Sequence, residues 1–89
     1  MIVRVMTEGQ YRLDGGLVDA VQHADEALLH AVHANDKAAF HEHLTEALTI
    51  VRQGVRLNVH ELVPSDLVLP SPDMSVAEAR KLLDQHPID

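Results

Sequence analysis

The chain has no cysteine and no tryptophan, and only one phenylalanine and one tyrosine in 89 residues. Without cysteine there is no disulfide, no thiolate nucleophile and no thiolate-ligated metal, a usage that fits a reducing cytoplasm. With two aromatic residues, the 46% apolar content must be a Leu/Val/Ala core. Such a core is thinner than usual, because aromatic rings bury the largest areas. Dimerisation is one remedy for a thin core. Long apolar runs are also missing: nothing approaches the roughly 20 residues of a membrane span, so no direct membrane insertion is expected. The opening from Met1 to Met6 carries Arg4 and runs into a polar turn, which is not the pattern of a signal peptide. At this length the expectation is one domain over residues 1–89.

Basic residues are scarce as well. Seven stand against fourteen acids, a formal charge of −7. This argues against autonomous binding to nucleic acid or an anionic membrane surface, since both depend on neutralising phosphates. Histidine, by contrast, is abundant at seven residues, and full protonation of these would bring the formal charge to zero in mild acid.

What is present is organised around Leu17 to Val55. Leu17, Val21, Ala24, Leu28, Ala31 and Val32 recur at three- and four-residue spacing, as do Phe40, Leu44, Ala47, Leu48, Val51 and Val55. These are the apolar faces of two helices. The short turn Ala34-Asn35-Asp36 between them implies antiparallel packing. Asn35 suits the left-handed residue that ends a helix, and Asp36 suits the cap of the next.

Before this pair, residues 2–13 read as a β-hairpin. A three-residue loop Thr7-Glu8-Gly9 would set Arg4 opposite Arg12 and place Val3, Val5, Tyr11 and Leu13 on one apolar face. After it, Pro64, Pro70 and Pro72 interrupt an extended segment with apolar pieces at Leu62-Val63 and Leu67-Val68-Leu69. A short strand is expected at 67–69, and Ser65-Asp66 reads as a local turn. Ser75 and Glu78 form a capping box that opens a third helix, with Val76, Ala79, Leu82 and Leu83 on its apolar side and His86-Pro87 at its end. The fold class expected is α+β: an N-terminal β-hairpin on an antiparallel helical hairpin, then the extended segment and a short C-terminal helix.

Three groups bear on chemistry. Asp19, His23, Glu26, His30 and His33 form one polar row on the first helix. Glu26, His30 and His33 are the candidate metal ligands within it, although a stable zinc site normally has a fourth ligand and supporting hydrogen bonds. The same row could instead respond to pH, or be a solvated helix face. His41 and His43 point about 160° apart on a helix and cannot share one ion; His43 reads as a semi-buried boundary residue. Arg4 and Arg12 would form a small basic spot able to grip carboxylates. No nucleophile–base pair, acid–base pair or glycine-rich phosphate loop is present, so the chain reads as non-enzymatic and no cofactor is expected.

Two stretches carry a resemblance. Met1-Ile2-Val3-Arg4-Val5-Met6-Thr7-Glu8-Gly9-Gln10-Tyr11-Arg12 and Glu61-Leu62-Val63-Pro64-Ser65-Asp66-Leu67-Val68-Leu69-Pro70 are similar to the PspAA family. These are small proteins associated with PspA, the membrane-stress effector of the phage-shock system. The order of elements also matches, so the likeness covers nearly the whole chain. It implies a regulatory partner protein that binds PspA or a related component and meets the membrane only indirectly. The family offers no site residues to transfer. Its helical pair carries mostly acids where this chain has histidines, and glycine is common where Asn35 stands. Arg4, Arg12, Leu62, Val63, Leu67 and Leu69 lie within the matching stretches and are the expected interaction surface. Competing readings are a metal- or pH-responsive sensor built on the histidine row, and an assembly protein that homodimerises through the hairpin edges.

Overall fold

The computed structural model describes residues 1–61 and 63–85. Its elements are β1 (Ile2–Val5), β2 (Gly9–Arg12), α1 (Gly16–Ala34), α2 (Lys37–Val51), β3 (Val55–Arg56), β4 (Leu67–Leu69) and α3 (Val76–Gln85). The α+β architecture is the expected one, with the hairpin, the helical pair, the extended segment and the C-terminal helix in that order.

The helical pair forms as its periodicity requires. Val21, Ala24, Leu28, Ala31 and Val32 of α1 are buried with Phe40, Leu44, Ala47, Leu48 and Val51 of α2. The joint uses both ends of Asp36. Asn35 adopts the left-handed conformation at φ 54°, and the Asp36 N–H donates back to the Ala31 carbonyl at 3.0 Å. That 6→1 bond closes a Schellman-type end. The Asp36 carboxylate then accepts from the Ala39 N–H at 3.1 Å and caps α2. A single residue thus satisfies orphan groups of two helices, which explains how the turn can be so short.

The four strands make one sheet in the order β3-β2-β1-β4. Its inner face carries Val3, Val5, Tyr11 and Leu13, which join the helical residues in one core with Leu69, Val76 and Ala79. The hairpin register differs from expectation by two residues. Val5 pairs with Gly9, Arg4 with Gln10 and Ile2 with Arg12, so the loop is Met6-Thr7-Glu8 and Arg4 does not face Arg12. A two-residue shift keeps every side chain on its expected face, which is why the apolar pattern alone could not tell the registers apart. The turn needs positive φ at Thr7 (74°) as well as at Gly9 (126°).

Glu8 supplies the missing physical reason. In this register its carboxylate accepts from the Tyr11 hydroxyl at 2.9 Å and from Arg52 just beyond α2, while its carbonyl accepts from Arg56 Nη2 at 2.6 Å. Arg52 above all, then the Tyr11 hydrogen bond, hold the Glu8 carboxyl below its ordinary pKa, against the opposing effect of burial. Burial, and next the bond to Glu8, push the Tyr11 hydroxyl above its own.

Val55 is a second correction. It belongs to β3 opposite Arg12 and is 53% exposed, rather than continuing the apolar stripe of α2. The helix has ended by then, and Gly54 passes close to the start of the sheet. A Cβ there would lie 2.5 Å from the Arg12 carbonyl and collide with the Leu13 side chain. Only glycine lets the backbone approach so closely, and the chain continues as a strand.

β4 confirms the expected strand at 67–69 and runs parallel to β1. Ser65 and Asp66 do not form a purely local turn. Asp66 exchanges two bonds with Ile2, its Oδ2 accepting from the Ile2 N–H and its own N–H donating to the Ile2 carbonyl, each at 2.7 Å. The capping box of α3 closes in both directions, Glu78 N–H to Ser75 Oγ at 3.2 Å and Ser75 N–H to Glu78 Oε1 at 3.0 Å. Arg80 Nη2 donates to the Val32 carbonyl at 2.6 Å and lays α3 against the end of α1. The expected stop at His86-Pro87 lies outside the described residues.

Candidate functional site

β3 and β4 occupy opposite edges of the sheet, so the chain between them must cross it. The helices cover the inner face, and the connection crosses the other. Gln10, on the central strand β2, marks the crossing point. Alternation turns its side chain away from Tyr11 and the core. Gln10 is nonetheless only 7% exposed, because the described residues 57–61 and 63–66 form a strap over it. Its Nε2 donates to the Val63 carbonyl and to Ser65 Oγ, both at 2.8 Å. The Leu57 N–H donates to the Gln10 carbonyl at 2.9 Å and extends the β3 pairing into the strap.

This strapped face gathers the large apolar side chains that are exposed among the described residues: Val55 at 53%, Val59 at 77% and Val63 at 39%. All three come from a single nine-residue span. Scattered apolar residues on a surface need no explanation, but three on one segment, beside charged neighbours, have the composition of a contact surface. At the turn end of the hairpin the strap leaves a cleft of about 160 Å³, with Arg4, Arg56, Gln10, Leu57, Val59 and Glu61 on its walls.

The residues expected to meet a partner fall in different places. Arg4 and Arg12 are exposed and, by alternation, share the outer face, but Ile2 and Gln10 are their cross-strand partners. Arg12 lies 3.8 Å from Asp14 in a loose, solvated pair. Val63 is exposed on the strap. Leu67 is half-buried and packs against the core, and Leu69 is 0% exposed within it, so neither offers a free surface in this fold. The reason is the parallel pairing with β1, which sets Leu67 beside Val3 and Leu69 beside Val5 on the inner face. Leu62 lies outside the described residues.

The histidine row is where helical spacing puts it. Asp19, His23, Glu26, His30 and His33 are all exposed on α1. Among the described residues no group of three or more His, Cys, Asp or Glu side chains could hold a metal ion, so Glu26, His30 and His33 do not converge on one point. His43 is half-buried as expected, and its Nδ1 is buried without a hydrogen-bond partner among the described residues. The hairpin edges expected to join two copies are both occupied within the chain, β2 by β3 and β1 by β4. Among the described residues, no helix is long and apolar enough to cross a membrane.

Sequence reasoning missed Gln10, Val55, Arg56 and Val59. Gln10 carried no signal, because a polar residue on the outer face of a hairpin reads as solvated. Val55 and Arg56 carried one: Gly54 just before them is a break after which helical periodicity should not be continued.

No curated protein and no solved structure matches the chain. One family model does, that of PspAA, described as PspA-Associated protein, over residues 1–88. The match takes in the hairpin, the helical pair, the strap and the third helix together, and on that extent the chain belongs to the PspAA family.

Proposed function

We propose that the protein is a non-enzymatic interaction module of the phage-shock membrane-stress response, and that it binds PspA or a related component through the strapped face of its sheet. The observation that carries this reading is the family match over nearly the whole chain, in a family described by association with PspA. The structure supports the choice of face. Val55, Val59 and Val63 expose aliphatic surface on the side of the sheet that the helices leave uncovered. Partner proteins bury such surface at the centre of a contact and leave charged groups at its rim. In this reading the protein acts in the cytoplasm and reaches the inner membrane face only through its partner.

The test is a calorimetric titration of the protein against PspA from its own organism, with chelator present. Saturable heat at a defined stoichiometry is the expected result. The absence of binding, with both proteins folded, would overturn the proposal.

A further inference from the structure

The strap is held in place without contributing to the core. None of its described residues, 57–61 and 63–66, belongs to the core cluster. Fixing a backbone costs conformational entropy, which burial of apolar surface usually offsets. Here hydrogen bonds hold the chain instead. Gln10 fastens both legs: its carbonyl accepts from the Leu57 N–H at 2.9 Å, and its Nε2 donates to the Val63 carbonyl at 2.8 Å. Between the legs, Asn58 closes a β-turn twice. Its carbonyl accepts from the Glu61 N–H at 2.9 Å, and its Oδ1 from the His60 N–H at 3.0 Å. Neither central residue, Val59 or His60, has a positive φ, as in a type I turn, where asparagine is favoured at the first position. At the summit stands Val59, 77% exposed, the most exposed large apolar side chain among the described residues.

We infer that the Asn58–Glu61 turn is a pre-organised knob, and that Val59 enters an aliphatic pocket on the surface of a protein partner. Shape selects the pocket. A side chain that stands clear of its own surface on a turn is convex, and only a concave complement removes water from all of it. Chemistry selects the lining. An isopropyl group offers no hydrogen bond, so a pocket with polar groups left unpaired would lose by receiving it. The lining is therefore Leu, Ile, Val or Met side chains. Asn58 and Gln10 are positioning residues: a turn fixed before contact removes an ordering cost from the binding step. A bilayer fits less well, because even a myristoyl chain gives only marginal membrane binding and one isopropyl group gives far less. This inference rests on the reading that the ligand is another protein, and it adds which side chain enters that protein and what holds it ready.

The experiment uses the whole chain. In the free protein, NMR relaxation should give the Val59 and His60 amides order parameters of about 0.85, as for rigid backbone, and Asn58→Ala should lower both. Native values below about 0.6 would overturn the knob. Calorimetry against PspA then reads the contact. Val59→Ala removes two methyl groups and should weaken binding roughly tenfold while leaving the thermal midpoint unchanged. Asn58→Ala leaves Val59 in place and should weaken binding about fivefold, the net contribution of one hydrogen bond. Asn58→Ser keeps a neutral acceptor and should recover most of that loss. Native affinity in Val59→Ala would overturn the knob, and a loss in Asn58→Ala that serine does not recover would overturn the part given to the turn.

The outcomes separate the two claims. PspA binding that ignores Val59→Ala removes the knob and leaves the partner. Failure of the native chain to bind PspA removes the partner, and the knob with it. Light scattering of the protein alone, and sedimentation with vesicles of phosphatidylglycerol and phosphatidylcholine, cover the other occupants. Self-association or vesicle binding that Val59→Ala abolishes would assign Val59 to a second copy or to a lipid surface, and would overturn the pocket.

Discussion

Replacing Gln10 with alanine deletes the side-chain amide that fastens the strap across the sheet, while the backbone ladder of β2 keeps its partners. Two bonds are lost, to the Val63 carbonyl and to Ser65 Oγ, each 2.8 Å long. A neutral hydrogen bond contributes about 1 kcal/mol net, and more when a stranded acceptor stays buried. Val63 is exposed and Ser65 half-buried, so water can reach both freed acceptors and the larger penalty does not apply. The expected loss is therefore about 2 kcal/mol, including the contact area of the side chain itself. For a domain of this size that lowers the Tm by roughly 10 °C.

Urea denaturation followed by circular dichroism measures the loss, and hydrogen exchange locates it. The amides of Leu57 and Asp66 should exchange faster, while those of α1 and α2 keep their relative order of protection. Ser65→Ala in the Gln10→Ala background should cost less than in the native background, because the two residues share a bond. A loss under about 0.5 kcal/mol, or strict additivity, would show that the strap is held by something other than Gln10.

Other outcomes follow from the same geometry. Asp25 is half-buried on α1, and burial, with Glu26 beside it, raises its pKa from 3.8 to about 6. A raised carboxyl pKa means that the folded protein holds the proton more tightly than the unfolded chain. Its contribution is thus fully present below pH 3.8 and is lost as pH rises through about 6. Asp25→Asn should then stabilise the protein at pH 7 by about 1 kcal/mol, the bare linkage of about 3 kcal/mol being reduced by solvent screening, and should have little effect at pH 3.5. Urea midpoints that fall at pH 7, or a difference that ignores pH, would contradict this. Gly54→Ala forces a Cβ against the Arg12 carbonyl and the Leu13 side chain. It should cost about 2–4 kcal/mol in thermal unfolding, and a neutral result would refute the close approach.

The parts of the fold that could be read from the sequence were those governed by near neighbours. The helical pair, the Asn35-Asp36 joint and the Ser75–Glu78 capping box each depend on residues within a turn or two of one another. The hairpin faces were legible for the same reason, since alternation is local. The register was not, because Glu8 chooses it through Arg52 and Arg56, more than forty residues away. Ser65 and Asp66 were misread in the same manner, as their partners are Gln10 and Ile2. The surface expected at Leu67 and Leu69 failed because an apolar run shows that residues seek burial without saying which element will bury them. Parallel pairing with β1 decided that, and pairing across more than sixty residues leaves no local mark. Arg4 and Val63 were legible as surface. Val59 became visible as their neighbour only once the strap had a path.

The central claim is that the strapped face, and not the histidine-bearing face of α1, meets PspA. The most direct measurement is calorimetry of PspA against two variants, in chelator and then with zinc added. Val59→Asp changes a side chain that is 77% exposed and should leave the fold intact while placing a charge at the centre of the contact. His30→Gln alters the middle of the exposed row on α1. Binding lowered at least tenfold by Val59→Asp, and unchanged by His30→Gln with or without zinc, is the predicted result. Full binding by Val59→Asp, or binding that requires zinc and fails with His30→Gln, would contradict the account and move the site to the helices.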